Sequence, residues 1–376
     1  MPDLINATLP NGNLPPVSST PSGIPIRVAL VAPSLRRLIG GQEVQAALLL
    51  KQWQDDPDIS MIFVPTDLEL PPWLRRIEAI PYARTLARLP FYLSSVWRAV
   101  GKSDVVHIFS ASYSSFLVAT APAWVIARVR RRKTVINYRD GRARDHLQRS
   151  RVARLILRHT RKLVTPSGYL VDVFKEFGMQ ARIVPNVVDL RQFAYRRRTV
   201  LRPILLCTRN FEAHYGVDLV IRAFMEVRKK FPDALLWLVG KGPKEPAIRA
   251  LVRELQLDGV EFLGPVPRDK IARVYADAYI FVNASWEDNL PGSILEAFAS
   301  GTPVVTTSAG GIPYMLKHEV TGLMCDPGDW RSLANQTLRL LQDPTLGLCL
   351  ADAAVHETSR YMWSNVRGQW IGVYRS

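Results

Sequence analysis

Short runs of β-branched and other apolar residues alternate with longer segments of helical spacing along almost the whole chain. In the first half, the apolar runs fall at 26–33, 59–65, 104–110, 133–138, 162–167 and 181–186. They are apolar on both faces, which is typical of parallel strands covered by helices on both sides. The alternation therefore predicts an α/β domain with a doubly wound parallel sheet.

A second series of the same kind follows residues 191–202, a basic and poorly patterned segment that we predict to be a linker. The chain of 376 residues is long enough for two domains of ordinary size. We therefore predict two Rossmann-like domains, an N-terminal one at 25–190 and a C-terminal one at 203–359. Residues 1–24 are rich in Pro, Asn, Ser and Thr and are predicted to be a disordered tail.

Glycine-containing turns follow several predicted strands. Ligands of doubly wound sheets bind beyond the carboxyl ends of the strands, so these turns are candidate binding sites. Gly40 and Gly41 follow the first strand of the chain, and Gly240 follows a strand of the second domain. Glycine lets a backbone approach a phosphate closely, and a helix N-terminus offers N–H groups to the anion. None of these turns matches the dinucleotide-binding or Walker pattern, so alone they are weak evidence.

Arg209 follows the first strand of the second domain and precedes its first helix. A guanidinium at this place can clamp a diphosphate with two hydrogen bonds, and the helix dipole adds to the attraction. An ion pair with a nearby acid such as Glu212 is the purely structural alternative.

The stretch SWEDNLPGSILEAFASGTPVV, residues 285–305, carries Asp288 before a predicted buried helix and Glu296 inside it. Carboxylates accept hydrogen bonds from hydroxyl groups and do not compete for phosphate. The structural alternative makes Asp288 an N-terminal cap and Glu296 a solvated helix residue.

The second domain contains, in order, Arg209 with Gly216, VGKGP, VEFLGPV, the ED-x-L-P stretch ending in LEAFASG, TPVVTTSAGGIP and TGLMCDPGD. In this series of motifs it resembles family 4 retaining glycosyltransferases of the GT-B fold. The first domain matches more loosely, through IRVALVAP with GGQE and through DVVHIFS. This resemblance implies two facing domains with a C-terminal helix, residues 360–376, crossing back to the N-terminal domain.

The resemblance also implies an activity and a set of site residues. A sugar passes from a nucleotide-diphosphate donor, held by the C-terminal domain, to an acceptor hydroxyl at the N-terminal domain, with retention of configuration. In the family the first acid of the pair contacts the donor sugar and the second holds the ribose. The implied catalytic residues are Asp288, Arg209 and Arg139. The implied donor-binding residues are Gly40, Gly41, Arg209, Tyr215, Gly240, Asp288, Leu290, Pro291, Gly292 and Glu296.

Three positions depart from the family pattern. Tyr215 stands where the family has a lysine that binds the pyrophosphate, and Tyr314 stands where it often has an acid. Arg139 occupies the place of a histidine near the anomeric carbon, with Asp140 and His146 nearby. Arginine cannot act as a base at neutral pH but can bind the leaving phosphate or an anionic acceptor.

These departures leave alternatives open. A surface pair of Asp140 with Arg142 or Arg144 would give this segment no role in catalysis. The loss of the lysine also leaves open a non-catalytic subunit that binds nucleotide sugars. An epimerase or phosphorylase with the same fold is a further alternative.

No metal or cofactor is predicted. The segment Asp56-Pro57-Asp58 spells the DxD of metal-dependent transferases, but it follows a helix at an acidic turn and not a strand. The three cysteines lie far apart and show no zinc-binding spacing.

The net charge of +16 predicts an anionic partner. Residues 1–195 hold 27 Lys or Arg against 14 Asp or Glu, which leaves 22 against 19 for the rest. The basic excess is concentrated in 128–133 and 139–162, and it is either a solvated face or a contact for anionic lipid. Nucleic acid is not expected, since no nucleic-acid-binding motif is present. We predict a cytoplasmic enzyme, peripheral on the inner face of the membrane, that acts on a glycan or lipid-linked acceptor in polysaccharide, glycolipid or cell-envelope synthesis.

Overall fold

The first half of the chain forms a six-stranded parallel sheet in the computed structural model, which describes residues 24–35, 41–110, 112–199 and 202–376. The strand order is β2-β1-β3-β4-β5-β6. The strands are β1 (Ile26–Ala32), β2 (Ile59–Pro65), β3 (Val105–Ser110), β4 (Lys133–Tyr138), β5 (Lys162–Thr165) and β6 (Arg182–Ile183). Val28 to Ala32 of β1 are fully buried, as expected for a strand with helices on both faces.

Helices cover both faces of this sheet. They are α1 (Gly41–Trp53), α2 (Pro81–Lys102), α3 (Tyr113–Ser115), α4 (Ala121–Val129), α5 (Ala143–Arg149), α6 (Arg151–Arg158) and α7 (Gly168–Glu176). Successive side chains of a strand point to opposite faces. Val31 therefore shares a core with apolar residues of α2, α4, α6 and α7, whereas Leu30 packs with Leu49 and Trp53 of α1.

The second half repeats the architecture with strand order β12-β11-β10-β7-β8-β9. Its strands are β7 (Ile204–Thr208), β8 (Leu235–Val239), β9 (Val260–Gly264), β10 (Ile280–Asn283), β11 (Val304–Thr307) and β12 (Leu323–Cys325). Its helices are α8 (Val217–Lys230), α9 (Glu245–Glu254), α10 (Ile271–Asp277), α11 (Gly292–Ala299), α12 (Trp330–Gln342) and α13 (Pro344–Glu357). The strand order reverses between β7 and β10, which is the point where such sheets bind ligands.

The last helix, α14 (Trp363–Arg375), returns to the first sheet. Trp370 and Tyr374 are buried in the core beside α1, so the predicted crossing of the C-terminal helix is confirmed. Arg367 of this helix donates to Asp56 Oδ2 at 2.8 Å and to Asp58 Oδ2 at 2.8 Å. The two acids of the DxD sequence thus hold α14 in place, far along the chain from their arginine partner.

Residues 191–199 of the predicted linker pack against the second domain through Arg198. This side chain is buried and donates to the carbonyl oxygens of Tyr275 at 2.6 Å, Ala278 at 2.7 Å and Ser300 at 2.8 Å. Burial lowers the pKa of Arg198 to about 10. The domain boundaries stay a prediction, and the predicted tail lies outside the described residues except for Ile24.

Replacing Arg198 with methionine is expected to lower the free energy of unfolding by about 2 kcal/mol, because several buried carbonyl groups lose their donor. Urea unfolding followed by tryptophan fluorescence measures the change. Arg197→Met is the matched control, since the Arg197 side chain is 63% exposed. Equal effects of the two substitutions would contradict the role assigned to Arg198.

Candidate active site

The carboxyl ends of both sheets open onto a cleft of about 870 Å³ that has walls from both halves of the chain. Arg209 follows β7 and Asp288 lies in the loop after β10, so both stand at the switch point of the second sheet. The predicted site residues that the structure describes all line this cleft: Gly41, Arg139, Arg209, Tyr215, Gly240, Asp288, Leu290, Pro291, Gly292 and Glu296. Gly40 lies outside the described residues.

The Arg209 guanidinium is held on several sides. Its Nε donates to Asn283 Oδ1 at 2.8 Å, and its Nη2 donates to the Asp288 carboxylate. The Tyr215 ring centre lies 4.9 Å from the guanidinium carbon. Burial by itself would lower the pKa of Arg209, but the Asp288 carboxylate and its neighbours outweigh burial and raise it. Arg209 is therefore a fixed cation whose acid partner is Asp288, not Glu212.

The Asp288 carboxylate is bound from its own loop as well as by Arg209. Its Oδ1 accepts from the backbone N–H of Asn289 at 2.9 Å, and the Ser285 hydroxyl lies 3.4 Å from Oδ2. The N-cap of α11 is Pro291, without a side-chain cap, so Asp288 does not cap this helix. Asp288 is instead positioned at the cleft, directly beside the Arg209 cation.

Two glycines permit the close backbone packing of the loops that carry these charges. Gly240 has φ +139°, and a Cβ there would lie 2.1 Å from the Arg209 carbonyl oxygen. Gly310 has φ +53°, and a Cβ there would lie 2.1 Å from the Asp288 carbonyl oxygen. Both conformations and both contacts require glycine. The structure thus gives Gly240 a reason that the sequence did not suggest, namely the placement of Arg209.

Glu296 lies in the middle of α11 with only 7% of its surface exposed. Its Oε1 accepts from Arg268 Nη1 at 2.5 Å. Burial raises the pKa of Glu296 above its usual value, and the Arg268 guanidinium opposes this shift. The alternative of a solvated helix residue is therefore wrong.

The N-terminus of α11 separates the two acids. Leu290, Pro291 and Gly292 lead into the helix and line the cleft, and a Cβ on Gly292 would meet nothing within 4 Å. The first N–H groups of a helix have no partner within it and attract anions. An anion at this point would have Asp288 with Arg209 on one side and Glu296 on the other.

Arg139 occupies the opposite wall, directly after β4. Its guanidinium lies 4.7 Å from the Phe109 ring centre and donates to the Asn186 side chain. Burial lowers the pKa of Arg139 to about 9. Within the described part of the chain Arg139 forms no ion pair, which leaves its charge available to a negative group in the cleft.

The residues next to Arg139 form local contacts. Asp140 pairs with Arg142 at 3.2 Å, as the structural alternative proposed for this segment, and Arg144 pairs with Glu176 at 2.6 Å. His146 is buried, with Nδ1 2.8 Å from the Tyr138 hydroxyl. Among the described residues of this segment, Arg139 is the one cleft-lining cation that has no acid partner.

Asn289 joins the two walls of the cleft. Its side-chain N–H donates to the Arg139 carbonyl oxygen at 3.1 Å, and its Oδ1 accepts from the Ser167 hydroxyl. Tyr314 makes a second bridge through a hydrogen bond to Asp172. Sequence reasoning did not identify this bridging role of Asn289, because its partners lie more than a hundred positions away. These hydrogen bonds connect the two walls beside the Asp288 loop.

The two halves of the chain match two family models. The model described as "Glycosyltransferase Family 4" matches residues 39–192, and the one described as "Glycosyl transferases group 1" matches residues 202–343. Together these segments make up most of the chain. The chain belongs to the family 4 glycosyltransferases.

Curated relatives of this glycosyltransferase share about a third of the aligned residues. N-acetyl-alpha-D-glucosaminyl L-malate synthase of Bacillus anthracis is 31% identical over 205 residues, 52% of this chain and 50% of the relative. D-inositol 3-phosphate glycosyltransferase of Acidothermus cellulolyticus is 32% identical over 231 residues, 56% of this chain and 51% of the relative. The chain thus spans about half the length of the curated relatives it matches.

Solved structures confirm the GT-B fold of this glycosyltransferase. Sucrose-phosphate synthase from Thermosynechococcus elongatus superposes with a TM-score of 0.72 at 19% identity, covering 93% of this chain and 98% of the other. Anabaena HepE in complex with UDP and glucose superposes with a TM-score of 0.72 at 16% identity, covering 93% of this chain and 99% of HepE.

Across the described residues, no helix is both long and apolar enough to span a membrane.

In the described ranges, no three His, Cys, Asp or Glu residues are grouped so as to hold a metal ion. The expectation of a reaction without metal stays a prediction.

Sequence reasoning did not single out two polar neighbours of the site, Asn283 and Arg268. The sequence offered a signal for Asn283, because this polar residue ends an otherwise apolar strand, β10. The structure shows that Asn283 is buried there. Arg268 carried no such signal, because its contact with Glu296 depends on how the loop after β9 packs against α11.

Proposed function

We propose that this glycosyltransferase moves a sugar from a nucleotide-diphosphate donor to an acceptor hydroxyl with retention of configuration. The observation that carries the proposal is the arrangement of charges around the start of α11. The pair of Arg209 and Asp288 lies before the helix, and buried Glu296 lies within it. This arrangement offers a cation and helix N–H groups to a diphosphate and carboxylates to the hydroxyls on either side of it.

The proposed donor lies along the C-terminal wall in one orientation, with its nucleoside at Glu296 and its sugar at Asp288. The ribose hydroxyls bind Glu296, the diphosphate lies at the start of α11 beside Arg209, and the sugar hydroxyls reach Asp288. Arg268 contacts Glu296 in the structure and must share this carboxylate with the ribose or move aside. HepE has been crystallised with UDP and with UDP-glucose, and we extend a nucleotide-sugar donor to this chain as part of the proposal.

The transfer is proposed to take place on one face of the sugar. The bond between the anomeric carbon and the phosphate oxygen breaks, and the acceptor oxygen forms its bond to the same face of that carbon. The acceptor proton passes to the departing phosphate oxygen, so the leaving group acts as the base. Arg209 and the amides at the start of α11 stabilise the negative charge that develops on the diphosphate.

The acceptor is proposed to lie at the N-terminal wall near Arg139, with its hydroxyl directed at the donor. Because Arg139 has no carboxylate partner in the described chain, we propose that it binds a negative group of the donor or the acceptor. Two of the relatives are named for L-malate and for inositol 3-phosphate, both anionic. We propose an acceptor of the glycan or lipid-linked class in envelope synthesis, reached by an enzyme attached peripherally to an anionic membrane.

A screen of nucleotide sugars by thermal shift, followed by turnover with each donor that stabilises the protein, tests the proposal. We expect at least one nucleotide sugar to raise the melting temperature and to be consumed in the presence of an acceptor. Proton NMR of the product then reports the anomeric configuration. Inversion would contradict the proposed mechanism, and failure of every donor to bind would contradict the function.

The alternative is a non-catalytic subunit that binds nucleotide sugars, and it is favoured by Tyr215 at the family's lysine position. The Tyr215 ring packs on the Arg209 guanidinium, so a lysine here would place a second cation beside the first. We therefore expect Tyr215→Lys to change turnover by less than about tenfold. A rise of several hundredfold from a very low rate would support the alternative. Tyr215→Phe, which keeps the ring, is the matched control.

A further inference from the structure

The outer side of the first domain exposes an unusual number of apolar side chains. Of the eighteen large hydrophobic residues exposed in the described chain, eleven lie between residues 73 and 155. Helices α2, α4 and α6, which pack side by side on one face of the first sheet, carry most of them: Tyr82, Leu86, Trp97, Val125, Val129, Val152 and Leu155. We call this surface the α2–α4–α6 face.

The apolar residues of α2 form one stripe. Tyr82 and Leu86 are four positions apart, and Trp97 follows Leu86 by eleven. At 3.6 residues per turn these three side chains project within about 60° of one another. They are 87%, 71% and 44% exposed. The stripe is thus a continuous feature along the helix and not a set of isolated apolar residues.

The segments that form this face are strongly basic. Residues 81–102, 121–133 and 151–158 together contain twelve Lys or Arg and no Asp or Glu, and one of the twelve, Arg88, pairs with Glu78. Arg130 lies with its guanidinium carbon 4.0 Å from the Trp97 ring centre. Arg128 and Arg151 form no ion pair with any described residue, so no carboxylate in that part of the chain neutralises their charges.

We propose that the α2–α4–α6 face binds an anionic lipid bilayer, with its apolar side chains inserted among the headgroups and its arginines on the lipid phosphates. Exposed tryptophan and aliphatic residues beside basic ones are the combination that stabilises interfacial binding. A second copy of the chain does not fit this face, because pairing would bring basic residues against basic residues. The inference rests on the proposed function, because it names the surface that makes the membrane contact proposed there.

The topology places this face next to the cleft. A helix that follows a parallel strand begins at the carboxyl edge of the sheet, so the N-terminal end of α2 lies at the cleft edge. Tyr82 is in the first turn of α2, and exposed Trp73 precedes it in the same connection. A bilayer on this face would therefore reach the edge of the first sheet at which the cleft opens, the side from which a lipid-linked acceptor has to enter.

Sedimentation of the full chain with vesicles tests the inference, using phosphatidylcholine alone and an equimolar mixture with phosphatidylglycerol. Arg128→Ser with Arg151→Ser is expected to lower partitioning onto the anionic vesicles about thirtyfold at low salt, from about fivefold per basic residue. Lys230→Ser with Arg253→Ser, on exposed positions of the second domain, is the matched control and is expected to bind like the wild type.

A second pair of variants tests insertion. Leu86→Glu with Leu155→Glu is expected to abolish the binding that persists in high salt, because screening weakens the charge contacts and leaves the apolar ones. The control is Val320→Glu, at an apolar residue of the second domain that is 53% exposed. Circular dichroism confirms that each variant is folded.

Several outcomes would overturn the inference. Binding that is equal in the face variants and their controls would do so, as would equal binding to neutral and anionic vesicles. Loss of a dimer in the Leu86 and Leu155 variant, or tight binding to duplex DNA without vesicle binding, would assign the face to another partner. The thermal-shift screen needs no vesicles, so failure of the donor proposal and failure of this inference are observed separately.

Discussion

Replacing Arg209 with alanine is expected to lower kcat by about 10²- to 10³-fold, the usual cost of removing one fixed group that stabilises developing charge. Arg209 is 9% exposed and is held by Asn283 and Asp288. The guanidinium is therefore oriented before the donor binds, and little reorganisation is needed as the diphosphate departs. Steady-state kinetics with a donor identified by thermal shift measures the effect.

Two further variants separate this role from a structural one. Arg209→Lys keeps the charge without the fork of donors and is expected to recover part of the lost kcat. Arg249→Ala removes an arginine that pairs with Glu245 on α9, outside the main cleft, and is expected to leave kcat unchanged. A kcat for Arg209→Ala within threefold of the wild type, in a folded protein, would remove Arg209 from the mechanism.

Replacing Glu296 with alanine is expected to raise the donor KM about a hundredfold, because two hydrogen bonds to a charged group are lost. The effect on kcat should be much smaller, since the ribose contact is the same in the ground state and the transition state. Titration calorimetry with the nucleoside diphosphate of the identified donor provides a direct check. An unchanged KM and an unchanged affinity would show that Glu296 does not hold the nucleotide.

The pH dependence gives a second test of Glu296. Burial raises the pKa of this carboxyl, so it becomes protonated at a higher pH than an ordinary glutamate. The protonated form loses acceptor capacity, and donor affinity is expected to fall as the pH is lowered through the raised pKa. Glu296→Gln keeps the shape without titrating and should abolish this fall. An identical pH profile in wild type and variant would contradict the assignment.

Both parallel sheets could be predicted from the sequence, because strands buried on both faces leave apolar runs such as β1 and β3 that are hard to mistake. Asp288 could be singled out through the resemblance of its stretch to the family, and Glu296 for a physical reason as well. A carboxylate inside a buried helix carries a desolvation cost that only a partner or a ligand offsets.

The cross-domain contacts could not be predicted, because they depend on how the two halves meet. Asn289 reaches Ser167 and the Arg139 carbonyl group from the other wall, and nothing in the local pattern indicates either partner. The close approach of Gly240 to Arg209 is equally invisible in the sequence. The DxD sequence is the opposite case, because its local pattern is typical of a metal site but its acids have a structural contact. Asp56 and Asp58 contact Arg367 and lie outside the site.

The most direct test of the central claim is sugar transfer by the double variant Arg209→Ala/Glu296→Ala, measured beside the wild type with a donor that the wild type consumes. The double variant has to be folded, as judged by its melting temperature beside that of the wild type. The proposed site predicts no transfer above background by the double variant at donor concentrations that saturate the wild type. Transfer at the wild-type rate would show that the cleft between the two domains is not the active site.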